Sequence, residues 1–186
     1  MFKNLNLIKL FIFLLFPIIS NSTLAQTAAE IPTQAKKFVE ELANNALNAL
    51  NDVTLNQMER DEKFRQLLKE GFDVEYIGKL VLGRFGRRAT NAEMQEFKVI
   101  FPEYIIKISA GRLNQFGDAE YKIGGTAPAG KRDVYVQSKV IRNDGPPVSA
   151  DWRVRRVNGK FKIIDLKIEG ISMVLTQRDE FSGKIS

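Results

Sequence analysis

The chain has 186 residues, of which 44% are hydrophobic and 27% are charged, and its formal net charge is +6. These values are typical of one globular domain that can bury a substantial core. The sequence contains no Cys and no His, which excludes thiol chemistry, zinc sites of the Cys/His type and any mechanism that needs an imidazole base. We expect neither a metal nor a cofactor.

The first 25 residues have the layout of a secretory signal peptide, with a positive start, a short apolar run and small residues before a cleavage site between Ala25 and Gln26. An uncleaved anchor is the alternative, but the apolar run is shorter than the ~20 residues that span a bilayer. We expect residues 1–25 to be removed, and residues 26–186 to form a single soluble domain in the periplasm.

Export changes the interpretation of the positive charge. The first 25 residues contain two of the lysines, so the remaining chain carries +4. An exported basic protein would meet anionic lipid surfaces or acidic partner proteins rather than nucleic acid. The alternative is a mildly basic surface with no such partner.

Helical periodicity begins after Pro32 and continues through most of the first half of the chain. Asn56 with Glu59, and Thr90 with Glu93, form capping boxes that predict two further helix starts. These patterns predict at least three helices before any strand.

One predicted helix, in the stretch FDVEYIGKLVLGRF, carries more apolar side chains than one buried stripe requires. Gly71 fits the stop of the preceding helix, and Asp73 can cap this one. One helix face carries Ile77, Leu80, Val81 and Phe85. Apolar residues also fall outside that face, at Val74, Tyr76 and Leu82.

The next predicted helix has a long apolar stripe and an internal proline. Pro102 has no N–H and clashes with the preceding turn, so it should kink the helix or begin a new one. The stripe consists of Phe97, Ile100, Phe101, Tyr104, Ile105 and Ile108.

After Gly117 the period of the apolar residues changes to two, which is typical of strands. A short terminal helix is predicted in ISMVLTQRDEF. Helices followed by antiparallel strands predict an α+β domain, with the N-terminal helices packed on one face of the C-terminal sheet. The predicted strands are Glu120–Thr126, Asp133–Ile141, Val148–Val157 and Lys160–Ile168.

Asn158 and Gly159 are the preferred pair for a two-residue hairpin turn, which predicts that Val157 lies opposite Lys160. One face of the hairpin would then meet the helices, with Asp165 directly across from Trp152. That inner face would carry Trp152, Val154, Phe161 and Ile163. The other face would be solvated, because directly opposed like charges are unfavourable there. It would carry Arg153, Arg155 and Lys162.

Asp165 is the one acid that this register predicts on the inner face. It could be a catalytic carboxylate, or it could accept a hydrogen bond from the Trp152 indole or a nearby arginine. Catalysis would require a partner with a displaced pKa, and the sequence has no obvious second carboxylate beside it. The pattern therefore favours the hydrogen-bonding role.

The order and spacing of three segments allow the chain to be compared with known families. The segments are FDVEYIGKLVLGRFGRRATNAEMQEF, YIIKISAGRLNQFGD and KFKIIDLKIEGISMVLTQRDEF. Together they resemble the MlaC family of periplasmic phospholipid-binding proteins, also called the toluene-tolerance auxiliary family. The resemblance extends from about Ala35 to Phe181. Many relatives carry Trp at the position of Gly86 and Tyr at that of Gln177, so the ligand site here is expected to differ in shape.

The resemblance implies a nuclear transport factor-like architecture in which acyl chains enter an apolar pocket between the sheet and the helices. It implies a phospholipid ligand, carried between an outer-membrane lipoprotein complex and an inner-membrane ABC-type transporter. We further expect a monomer that makes transient contact with the membrane surface, binds no nucleic acid and is not an enzyme. Some family members are linked to hopanoid biosynthesis, so a hopanoid-related lipid is the alternative ligand.

On this interpretation, the wide apolar faces of the helices line a pocket, whereas otherwise these helices are simply buried on all sides. The expected lipid-binding residues are Val74, Ile77, Val81, Phe101, Tyr104, Ile105 and Ile108 from the helices, Val136, Trp152, Val154 and Ile163 from the sheet, and Met173 and Val174 at one end. The expected head-group or docking residues are Arg84, Arg87, Arg88, Arg153, Arg155 and Lys162.

Two other classes of function remain open from the sequence. One is an enzyme of the cyclase or isomerase type that acts on an apolar substrate, with Asp165 and Tyr104 as candidate residues. The other is a structural or adaptor domain whose apolar interior is only a core.

Overall fold

The computed structural model describes residues 22–113, 119–142 and 145–185, and within these it describes the side chains of all but 22–29 and 109–113. The α-helices are α1 Ser22–Asn51, α2 Gln57–Gly71, α3 Val74–Leu82, α4 Asn91–Leu113 and α5 Met173–Ile185, with a 3₁₀ turn at Phe85–Arg87. The strands are β1 Glu120–Ala129, β2 Asp133–Ile141, β3 Val148–Val157, β4 Lys160–Ile168 and β5 Ile171–Ser172. The predicted signal peptide falls mostly outside the described residues.

The strands form one antiparallel sheet in the order β1-β2-β3-β4-β5. Within the described residues, four α-helices precede this sheet in the chain and one follows it, which confirms the predicted α+β layout. Three of the four predicted strands have the predicted bounds. The first continues to Ala129 through an irregularity in its pairing between Ile123 and Thr126. The short β5 was not predicted, because two residues carry no recognisable alternation.

Both predicted capping boxes are present. At α2, the Asn56 N–H donates to Glu59 Oε2 over 2.8 Å, and the Glu59 N–H donates to Asn56 Oδ1 over 3.1 Å. Thr90 and Glu93 make the same reciprocal pair at the start of α4. Asp73 caps α3 by accepting the Tyr76 N–H. Local polar pairing therefore determines where these three helices begin.

Neither proline within a helix breaks it. Helix α1 begins at Ser22, well before Pro32, so the predicted start near Pro32 is wrong. Helix α4 runs through Pro102 without a second start. Proline's fixed φ is compatible with a helix, so each ring removes one backbone hydrogen bond while the helix continues.

Gly71 is the last residue of α2, as predicted, and packing against α1 also requires a glycine at this position. Its φ is not positive, and a Cβ at this position would lie 2.5 Å from Leu42 Cδ2. The glycine therefore allows α2 to approach α1 closely.

Two residues of the predicted apolar stripes are not buried. Leu80 on α3 is 39% exposed, and Ile100 on α4 is 54% exposed.

The turn at Asn158 and Gly159 is confirmed by positive φ values of 49° and 81°, and Val157 lies opposite Lys160 as predicted. The register then shifts between Arg153 and Val154, where Ile164 is an extra residue in β4. Ile164 is 1% exposed, so this β-bulge buries an isoleucine that a regular strand would have turned to the solvated face.

The bulge makes the predicted pairing wrong on its far side. Trp152 lies opposite Leu166, and Asp165 lies opposite Arg153. Asp165 is therefore on the face of the sheet opposite to Trp152.

In the part of the chain that the structure describes, no helix is long and apolar enough to cross a membrane.

Candidate functional site

Among the residues that the structure describes, two clusters account for much of the apolar interior. The first, the sheet cluster, joins α1 to the inner face of the sheet. It contains the buried residues Ala35, Val39, Val136, Val154 and Ile163, flanked by the partly buried residues Phe38, Leu42, Phe72, Ile123, Val134, Trp152 and Phe161. The second, the helix cluster, joins α3, α4 and α5. It contains Val81, Phe101 and Val174, flanked by Val74, Ile77, Phe97, Tyr104, Ile105 and Phe181.

A short segment connects the two clusters. Phe72 belongs to the sheet cluster, and Asp73 N donates to the Ile163 carbonyl over 3.0 Å. Val74, which belongs to the helix cluster, follows directly. The start of α3 is thus anchored to β4, and the helix cluster begins at that anchor.

Aromatic rings form a row on the inner face of the sheet. The ring of Phe72 meets that of Trp152 edge-on at 6.5 Å between centroids, and Trp152 meets Tyr121 in the same way at 6.3 Å. All three residues are only partly buried. An apolar face with partly buried aromatic rings can accept an apolar ligand along the sheet.

A groove of about 270 Å³ lies between α3 and α4. Lys79, Lys98 and Glu75 line the groove, and the Glu75 carboxylate lies 2.8 Å from Lys79 Nζ. The hydrogen bond and charge of Lys79 lower the pKa of Glu75. The apolar residues of the groove are Val74, Met94, Phe97, Phe101 and Pro102.

The structure does not bring the predicted lining residues into one set. Val74, Ile77, Val81, Phe101, Tyr104, Ile105 and Val174 lie in the helix cluster, whereas Val136, Trp152, Val154 and Ile163 lie in the sheet cluster. Ile108 and Met173 are partly buried and belong to neither.

Sequence reasoning missed the contribution of α1 and β1 to the inner face. Phe38 and Leu42 lie on the α1 stripe, and Tyr121 and Ile123 alternate along β1. Helical spacing in the first case and strand alternation in the second were the signals that could have identified them. It also missed Phe72, which stands between two helices in a position that neither period describes.

The predicted basic patch on the outer face of the sheet is paired rather than freely solvated. Arg153 and Arg155 both bind the buried Asp133 carboxylate, at 2.6 and 2.7 Å. The Arg155 guanidinium also stacks 4.7 Å above the Tyr76 ring, and its side chain is only 16% exposed. The prediction of a solvated Arg155 is therefore wrong, because a carboxylate and an aromatic face cover it.

Lys162 donates to the carbonyls of Lys69 and Glu70 at the end of α2, over 2.9 and 2.6 Å. These carbonyls have no partner within the helix, so the ammonium group caps the C-terminus. Lys162 thus fastens α2 to the sheet.

Arg84, Arg87 and Arg88 are exposed around the 3₁₀ turn that follows α3. The Arg84 guanidinium lies 4.9 Å from the centroid of the Phe85 ring. These three arginines form the basic turn, a solvent-facing positive surface beside the helix cluster.

The two positions where relatives differ lie beside this region. Tyr104 donates a hydrogen bond to Gln177 Oε1 over 3.2 Å, which joins α4 to α5. A Cβ at Gly86 would lie 3.3 Å from Leu82 Cβ, so a large side chain there would have to extend away from α3.

Asp165 has a structural partner at the start of α5. Its Oδ1 accepts the N–H groups of Leu166 and Val174, over 2.9 and 3.2 Å. The Trp152 indole, which was one predicted donor, instead donates to Ser138 Oγ. Asp165 therefore works with Ser172, which accepts the Leu175 N–H, to cap α5.

We expect Asp165→Ala to lower the free energy of unfolding by about 1–2 kcal/mol, as loss of a helix cap does. Chemical denaturation measures the change. Asp179→Ala is the matched control, because its carboxylate is 77% exposed on the same helix. Equal stability of the two variants would contradict the capping role.

Comparison with known proteins completes the description of the site. The fold matches a solved structure described as the phospholipid-binding protein from Ralstonia solanacearum in complex with a phospholipid, with a TM-score of 0.67 and 25% sequence identity. The match covers 80% of this chain and 86% of that one. Residues 19–186 match the family described as MlaC protein, which is nearly the whole sequence. The chain belongs to the MlaC family.

Proposed function

We propose that this protein binds a phospholipid between its sheet and its helices and carries it through the periplasm. The observation that carries the proposal is the division of the described apolar interior into two clusters, with partly buried aromatic rings on the inner face of the sheet. Membership of the MlaC family and the likeness to a phospholipid-binding protein support the same ligand. The predicted signal peptide supports the compartment.

The lining that we propose follows from the two clusters. The acyl chains would lie against the rings of Trp152 and Phe72 on one side and against Ile105 and Tyr104 on the other. The groove of about 270 Å³ between α3 and α4 is smaller than most pockets that enclose a drug-sized ligand, so we propose that the lipid enters by widening the space between the two clusters. Ile108 and Met173, partly buried outside both clusters, would contact the ligand only after this widening.

Burial of the tails can drive that widening. Each buried methylene contributes about 0.8 kcal/mol, so roughly thirty methylenes would contribute on the order of 20 kcal/mol. Where the clusters separate, the tails would pack against the side chains that the separation uncovers. A lipid-bound and a lipid-free state would then differ mainly in the position of α3, α4 and α5 relative to the sheet.

The polar side chains that were candidate catalytic residues have structural partners, which supports a carrier rather than an enzyme. The carboxylate of Asp165 is engaged in capping α5, and the hydroxyl of Tyr104 is engaged with Gln177. These were the candidate catalytic residues. We propose that direction comes instead from the two membrane complexes, an outer-membrane lipoprotein complex and an inner-membrane ABC-type transporter, each favouring a different lipid-loaded state of a monomeric carrier.

We expect the basic turn to hold the protein at anionic surfaces or to meet the lipid phosphate. The three substitutions Arg84→Gln, Arg87→Gln and Arg88→Gln together should weaken binding to phosphatidylglycerol vesicles about 100-fold at low salt, at about 1 kcal/mol per arginine. Vesicle co-sedimentation measures this. Lys131→Gln with Arg132→Gln is the control, because these residues are exposed in the turn between β1 and β2. Equal weakening per removed charge in the two variants would exclude a local role for the basic turn.

The carrier function is tested by lipid transfer. Protein depleted of lipid should accelerate the movement of fluorescent phosphatidylglycerol from donor to acceptor vesicles in proportion to its concentration. A protein that leaves the spontaneous rate unchanged and takes up no fluorescent lipid would overturn the proposal.

A further inference from the structure

A polar group with no partner lies on the inner face of the sheet. Tyr121 precedes Ile123 by two residues in β1, so both side chains point to the same face, and Ile123 belongs to the sheet cluster. The Tyr121 ring rests against Trp152 at the end of the aromatic row. Its hydroxyl oxygen is buried, and no group in the described part of the chain forms a hydrogen bond with it.

The neighbouring polar groups are already committed. Trp152 Nε1 donates to Ser138 Oγ over 3.0 Å, and the Ser138 hydroxyl donates to the Ala150 carbonyl over 2.7 Å. Neither the Trp152 N–H nor the Ser138 O–H is therefore left to donate to Tyr121 Oη. A buried hydroxyl without a partner is unfavourable, which makes Tyr121 a site where a ligand acceptor would be stabilised.

The Tyr121 hydroxyl is a donor throughout the physiological range. Burial raises the pKa of its phenol to about 12, although Ser138 and Trp152 act to lower it. The cations nearest in sequence, Lys122 on β1 and Lys139 opposite it on β2, lie on the other face of the sheet. A neutral acceptor among apolar neighbours fits this environment better than a phosphate, which would need charge compensation.

We propose that Tyr121 Oη donates a hydrogen bond to an ester carbonyl of the bound lipid. This inference rests on the proposed phospholipid-binding function and names the chemical class of the ligand. The ester groups join the apolar tails to the polar head. They would therefore lie at the end of the aromatic row that carries the Tyr121 hydroxyl. The site would thus select glycerol ester lipids over ether-linked lipids and over hopanoids, which have no ester at this junction.

The test compares two lipids that differ only at this group, dipalmitoylphosphatidylglycerol and its dihexadecyl ether analogue. Wild-type protein should prefer the ester lipid by about 3- to 10-fold, which is the effect of one buried hydrogen bond. Tyr121→Phe should remove the preference while still binding both lipids. Tyr135→Phe should retain it, because the Tyr135 ring lies under Lys167 on the opposite face.

The outcomes separate this inference from the proposed function. Binding of both lipids with equal affinity by the wild type would overturn the role of Tyr121 and leave the carrier function standing. A preference that survives in Tyr121→Phe would assign the ester contact to another group and overturn it too. If neither lipid binds, the proposed function falls, and this inference falls with it.

Discussion

Asp133→Ala should lower the free energy of unfolding by about 2–4 kcal/mol, the largest effect expected of a single polar substitution here. Asp133 is 5% exposed and holds both Arg153 and Arg155. Its removal leaves two guanidinium groups without their anion, one of them stacked on an aromatic ring. The estimate is below the full value for a buried pair because Arg153 is 36% exposed and keeps part of its hydration.

The difference in free energy of unfolding between wild type and Asp133→Ala depends on pH through the pKa of Asp133. Burial alone would raise that pKa, but the hydrogen bonds and charges of Arg155 and Arg153 outweigh burial and lower it below its usual 3.8. A lowered folded-state pKa stabilises the protein above the unfolded-state value, and the stabilisation is lost as the pH falls through the folded-state pKa. The gap between wild type and Asp133→Ala should therefore be constant from about pH 5 to 7 and close below about pH 4.

Urea denaturation across this pH range measures the gap. Glu120→Ala provides the control, because its ion pair with Lys122 is exposed on both sides and should contribute almost nothing. If the two variants lose the same small amount of stability, the ion pairs of Asp133 with Arg153 and Arg155 contribute no more than exposed surface pairs.

The second large effect concerns the helix cluster. Ile105→Asp should remove most of the bound lipid, by more than about tenfold, because an unpaired charge among acyl chains costs several kcal/mol. Val99→Asp on the same helix is the matched control, since Val99 is 71% exposed and outside both clusters. Mass spectrometry of extracted lipid, normalised to protein, measures the difference.

A loss of fold must be separated from a loss of ligand. Ile105→Thr places a small polar group at the same position, and both variants are followed by thermal unfolding. We expect Ile105→Thr to remain folded and to retain less lipid than Val99→Asp. Full lipid content in a folded Ile105→Asp variant would show that the tails do not contact the helix cluster.

Most of the fold could be predicted because its signals are local. Capping residues such as Asn56 and Asp73, and the Asn158–Gly159 turn, act within three or four residues of the backbone groups that they satisfy. The β-bulge at Ile164 could not be predicted in this way. It arises because two consecutive isoleucines are both buried, a fact that depends on the helices that pack around β4.

The candidate site was predictable only in part. Periodicity identified most residues of the apolar faces, with the exception of Leu80 and Ile100. It did not show that Val154 and Ile105 lie in different clusters, because that depends on how the helices pack in three dimensions. Nor did it show that Arg155 pairs with Asp133, two residues far apart in the sequence that meet across β2 and β3. Long-range pairing of this kind is absent from any local pattern.

The division into clusters determines what a larger side chain in the sheet cluster would do. Val154 is 2% exposed in the closed sheet cluster, so Val154→Trp should destabilise the protein by about 1–3 kcal/mol whether or not lipid binds.

The central claim is tested most directly by extracting purified protein with organic solvent and identifying the lipid by mass spectrometry. We expect about one phospholipid per protein chain, with two ester-linked tails, and its loss in the Ile105→Asp variant but not in Val99→Asp. Protein that is folded and yields no lipid, and that takes up none from phosphatidylglycerol vesicles, would contradict the account.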